Sequence, residues 1–168
     1  MTKFKLFNHR NNLIFKSFLI LSMIFYTSSL YAQSPADFSG VWVQDTVKSD
    51  DFYKAFNVIC TITQTPQSIT IKHTFFEKTG QEITSHDFVF NLDGKEVSKE
   101  EQGGINTESA TWSPDKKILT TKSTRTVGKD VYGSTASYTL SDDGRVMTVR
   151  TSDINPSGIS VAQVFSKK

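Results

Sequence analysis

The sequence predicts an all-β domain, a sandwich or barrel of about ten short antiparallel strands. Three observations carry this. Segments rich in Thr, Val, Ile and aromatic residues recur after residue 32, turn residues punctuate them at short intervals, and no long helical period appears between them. The expected strands lie near 40–45, 58–64, 68–77, 82–92, 95–100, 107–112, 118–127, 134–141, 146–153 and 159–166.

The first 32 residues read as a secretory signal peptide, leaving residues 33–168 as one domain. Lys3, Lys5, Arg10 and Lys16 make a basic start without acidic residues, the run 17–25 is apolar, and small residues lead to Ala32, the expected cleavage point. The apolar run is too short to span a bilayer, so export to the periplasm or medium is expected, with no membrane span in the mature protein. Taking four basic residues from nineteen leaves fifteen against seventeen acidic, a net charge of −2. The basic character of the whole chain therefore belongs to the leader, and nucleic-acid binding loses its electrostatic support. Cys60 is the only cysteine, so an intramolecular disulfide is excluded and stability rests on packing.

Along the domain, Gly40-Val41-Trp42 opens the first strand. Residues 49–56 suit one short helix, with Ser49 as N-cap and Asp50 and Asp51 in its first turn. Pro66-Gln67 at the next turn pairs Ile62 with Ile71 and Cys60 with His73. A loop over 78–81 then pairs Ile71 with Phe88, Ile69 with Phe90, His73 with His86, and Lys72 with Asp87 as an ion pair; a bulge at Gly80 would shift this register. Residues 99–106 form the expected mobile loop. Asp143-Gly144 suits a two-residue type I′ turn that sets Leu140 opposite Met147, Tyr138 opposite Val149 and Thr139 opposite Thr148.

These registers align Cys60, His73 and His86 across three strands. Thiolate and imidazole are ligands for zinc, copper and iron, so a metal or haem site is one reading. The other is a small buried hydrophobe beside hydrogen-bonded wall residues, favoured because no ligand-spacing motif is present. No cofactor or metal is expected on this balance. The same row offers a Cys–His nucleophile pair, without the surrounding motif such pairs carry. The sequence holds no G-x-S-x-G, P-loop, dinucleotide fingerprint or H-E-x-x-H. Its turn aspartates suit backbone capping. A non-catalytic binder is expected over a hydrolase.

Four motifs, "DFSGVW" at 37–42, "LDGKE" at 92–96, "ATW" at 110–112 and "LSDDG" at 140–144, resemble those of small exported bacterial lipocalin-like proteins of calycin type. The G-x-W at the first strand also resembles avidin and the lipocalins at large. This resemblance implies a single up-and-down barrel of about eight to ten strands, with Trp42 closing one end beneath an arginine from a late strand. Arg150 or Arg125 would supply that partner here, while the last strand departs from the pattern and ends in Lys167 and Lys168.

The resulting expectation is an exported carrier for a small lipophilic ligand, with Trp42, Cys60, His73, His86, Phe88, Trp112 and Tyr138 as candidate pocket residues. The alternatives are an envelope protein-interaction module with a filled barrel and, behind it, a metal or haem carrier using the Cys–His–His row.

Overall fold

The computed structural model describes residues 34–154 and 158–168; the expected signal peptide lies outside them. Ten strands form one antiparallel sheet: β1 (Gly40–Gln44), β2 (Asn57–Gln64), β3 (Ser68–Phe76), β4 (Glu82–Asn91), β5 (Val97–Glu101), β6 (Gly104–Trp112), β7 (Leu119–Val127), β8 (Asp130–Leu140), β9 (Val146–Asp153) and β10 (Ser160–Lys167). Each pairs with its neighbours in sequence except β4 with β5, and β1 also pairs with β10. The result is an up-and-down barrel whose hydrogen bonding is interrupted between β4 and β5. Among the described residues no helix is long and apolar enough to cross a membrane.

The expected registers are those observed across β2, β3 and β4, with Ile62, Ile71 and Phe88 in one row and Cys60, His73 and His86 in the next. The shift near the 78–81 loop is confined to Phe75 and Phe76, so it leaves the rest of the pairing intact. Lys72 and Asp87 face each other, but they are not among the ion pairs of the described residues. Two exposed side chains gain too little in water to hold one geometry.

Three local expectations are corrected. First, residues 99–106 are not a loop: Gln102 and Gly103 form a two-residue turn between β5 and β6, both with positive φ (49° and 71°), as a type I′ hairpin requires. Secondly, the β8–β9 turn is not type I′. The Gly144 amide donates to the Ser141 carbonyl at 2.8 Å, and only Gly144 has positive φ there, although the flanking register is unchanged. Thirdly, Ser49 does not cap a helix. The helical segment is a single 3₁₀ turn, Asp51–Ala55, without a side-chain cap. Ser49 is buried and ties β1 to β10 instead, its Oγ donating to the Asp45 carbonyl at 2.7 Å and accepting from the Val164 amide at 3.0 Å.

The β8–β9 turn has a twin between β6 and β7. In each, a serine hydroxyl donates to an aspartate at 2.6 Å and accepts a backbone amide at 2.9 Å (Ser141, Asp143 and Val146; Ser113, Asp115 and Ile118). The twin carries Lys116, at φ 54°, where the first has Gly144. A side chain in this left-handed region costs roughly 1–2 kcal/mol, partly offset in glycine by its freer unfolded chain. Lys116→Gly is therefore expected to stabilise the domain by about 0.5–1 kcal/mol, measured as the shift in denaturant midpoint at constant slope. An unchanged or lower midpoint would contradict it.

Candidate functional site

One end of the barrel is packed solid. Residues 34–39 cross it as a strap: the Ala36 amide donates to the Lys116 carbonyl, and Gln64 holds both the Ala36 carbonyl and the Phe38 amide. Phe38 is fully buried, stacked on Trp112 with centroids 6.0 Å apart and edge-on to Tyr138 at 6.1 Å. Trp42 is also fully buried, its indole N–H donating to the Phe38 carbonyl at 2.8 Å.

The cation over Trp42 is Lys167, with Nζ 5.1 Å from the ring centroid. Neither expected arginine takes this place. Arg125 is bonded to Asn106 Oδ1 at 3.0 Å and to the Glu101 and Gln102 carbonyls, and Arg150 is exposed on β9. The register explains the exchange: Trp42 lies directly opposite Lys167 across the β1–β10 pair. Gly40 is needed beside them because its φ is 134°, a backbone conformation that side-chain-bearing residues rarely adopt.

Beyond this plug the interior opens into a cavity of about 190 Å³. Phe75, Phe88 and Phe90 from β3 and β4 form one wall, with His73 among them. Thr121, Ser123, Ser134, Ala136, Tyr138, Val149, Thr151 and Gln163 from β7 to β10 form the other. Tyr53 completes the lining from the 3₁₀ turn, which Gln44 anchors by donating to the Tyr53 carbonyl at 2.9 Å.

Burial controls the titration of this interior. It drives the Tyr138 phenol above its ordinary value, with Cys60 adding to the rise and Thr121, hydrogen-bonded to the phenol, opposing it. Burial likewise pushes the Cys60 thiol up to about 12. It lowers His73 to about 4, helped by the neighbouring His86. All three are neutral at pH 7. Three buried side-chain atoms have no protein hydrogen-bond partner among the described residues: Gln44 Oε1, His73 Nε2 and Gln163 Nε2. The last two belong to residues that line the cavity.

The structure thus gathers His73, Phe88 and Tyr138 around the cavity. It places Trp42 and Cys60 in the packed core, and leaves His86 exposed. Trp112 lines a separate groove of about 320 Å³ at the plugged end, with Pro35, Gln64 and Leu92. Cys60, His73 and His86 share a row, yet no cluster of three metal-ligating side chains forms among the described residues. A thiol held protonated is neither a good ligand nor a nucleophile. Sequence reasoning missed Phe38, Tyr53 and Gln163. The alternation Val161, Gln163, Phe165 was a signal for the last, since it sets a glutamine on the face of a buried phenylalanine.

No family model and no curated protein matches the chain. Solved structures do share its fold. A fatty acid transporter, REP1-NXSQ, superposes with a TM-score of 0.52 at 12% identity, covering 77% of this chain and 95% of that one. A fatty acid binding protein of Schistosoma mansoni, in complex with arachidonic acid, superposes with a TM-score of 0.53 at 11% identity, covering 78% and 96%. The chain is thus an all-β up-and-down barrel similar in fold to the barrels of fatty-acid-binding proteins.

Proposed function

We propose that this chain is an exported, non-catalytic carrier that holds a small lipophilic ligand inside its barrel. The carrying observation is the cavity itself, walled by Phe75, Phe88, Phe90 and Tyr138 and interspersed with neutral polar side chains. Apolar burial supplies affinity in such a site, and a few polar atoms set orientation. At about 190 Å³ it falls below the roughly 300–1,000 Å³ of drug-sized sites, so one slim chain or single ring suits it best. A cavity also favours a carrier over an interaction module with a filled interior. The two similar barrels, one a fatty acid transporter and one holding arachidonic acid, support the same class of ligand. Export rests on the leader read at 1–32, and N-terminal sequencing of the mature protein tests it: a chain starting at Gln33 is expected, and one retaining the leader in the soluble fraction would contradict it.

Displacement of an environment-sensitive apolar fluorophore tests the binding reading. Saturable binding at one site per chain is expected, and Phe88→Asp should abolish it by placing a charge in the wall. No saturable binding across a panel of lipophiles would overturn the proposal.

A further inference from the structure

The chemical class of the ligand follows from what lines the cavity and what does not. We propose, resting on the carrier reading above, that the ligand is uncharged, a slim apolar molecule with one hydrogen-bonding oxygen such as an alcohol, ester or amide, and that Gln163 and His73 hold that oxygen.

Among the described residues, no lysine, arginine, aspartate or glutamate lines the cavity. Gln163 is 6% exposed, and its amide nitrogen, a donor, meets no acceptor among the described residues. His73 Nε2 is likewise enclosed and unpartnered, on an imidazole whose environment opposes protonation. Buried polar atoms normally find partners, so two unmet ones around a single cavity mark where a ligand's polar atom belongs. A neutral imidazole nitrogen donates or accepts according to tautomer, so it serves a hydroxyl in either direction.

The surrounding charges argue against an anion. The row at the edge of the lining runs Glu108, Ser123, Ser134, Asp153, with a carboxylate at each end. His86, the titratable neighbour across from His73, is exposed. Arg125 sits in the next row and is engaged by Asn106 and two backbone carbonyls. A buried carboxylate without a cation is strongly disfavoured, and nearby acidic groups add repulsion.

The test compares decanol, methyl decanoate, decanamide, decanoate and decylamine by calorimetric titration at pH 8 against the full domain. The neutral members are expected to bind at least about tenfold more tightly than decanoate or decylamine, with decanoate improving as the pH falls and its acid form appears. Gln163→Leu should weaken decanamide by roughly three- to tenfold, the worth of one hydrogen bond. Its unliganded melting temperature should hold or rise, because an unmet polar atom has been removed. His73→Phe provides the same comparison from the opposite wall. Preference for decanoate or decylamine, or undiminished binding in both variants, overturns the assignment while leaving a carrier intact. Binding by no member overturns both.

Discussion

Trp42→Ala is expected to destabilise the domain by about 3–5 kcal/mol, the range for removing a large aromatic side chain from a packed core. Trp42 is fully buried, and its indole N–H holds the Phe38 carbonyl at 2.8 Å. Phe38 in turn packs on Trp112 and Tyr138, so the cavity left by truncation opens beneath the strap. Against a typical total of roughly 5–15 kcal/mol, that loss removes a large share of the domain's stability. Lys167→Ala separates the plug from the cation above it. It should cost only about 0.5–1 kcal/mol, because Lys167 is solvent-exposed and contributes mainly its contact with the ring. Equilibrium denaturation of both variants checks this ordering. A Trp42→Ala loss no larger than that of Lys167→Ala would refute the plug.

The second large effect is a loss of stability in mild acid. His73 titrates at about 4 in the folded protein, because burial disfavours its charge and His86 adds to the penalty. Its unfolded value lies near 6.5. Above that value both states are neutral at His73 and folding is unaffected. As the pH falls from 6.5 towards 4, the unfolded chain takes up a proton that the folded domain refuses, so stability declines. Below about 4 both states are protonated and the decline ends. The total is about 2–3 kcal/mol, allowing for the partial exposure of the ring. The turn carboxylates follow the same rule in a lower pH window, because their folded values are also depressed. Asp115 and Asp143 are held below their ordinary value by the Ser113 and Ser141 hydroxyls, so their contribution is lost only at lower pH. Unfolding midpoints from pH 8 to 4 should therefore fall in the wild type and stay nearly level in His73→Phe over that window. An equal fall in both would show that another group carries the dependence.

Much of this architecture was legible in the chain because side-chain alternation fixes register wherever one face is buried. A one-residue slip would have turned Ile62, Ile71 and Phe88 outward, and their row is the one observed. Turn geometry was less legible. "SDDG" contains an Asp-Gly pair that suits a type I′ turn, but the Ser141 hydroxyl and Asp143 carboxylate capture backbone amides and stabilise a different loop of the same length. "EEQGG" looked mobile because it is polar, yet Gln102-Gly103 reverses the chain in two residues. The partner of Trp42 depended on the β1–β10 closure, a pairing between the two ends of the domain that no local signal announces.

The candidate site divides along the same line. His73, Phe88 and Tyr138 lie on strands whose hairpins could be registered from sequence, and all three line the cavity. Tyr53 arrives from a 3₁₀ turn whose position depends on Gln44 and on contacts with β10. Its role is a tertiary property. Cys60 stands in the right row, but its position opposite Trp42 puts it in the plug, below the opening.

The central claim is that ligand enters the space above the plug and nowhere else. Backbone and side-chain NMR titration of the domain with decanol tests it most directly. The largest saturable shifts should fall on Tyr53, Phe88, Tyr138 and Gln163, with Trp42 and Phe38 little changed and the groove beside Trp112 silent. Shifts confined to that groove or to the outer faces of the strands, with the cavity residues unmoved, would contradict the account.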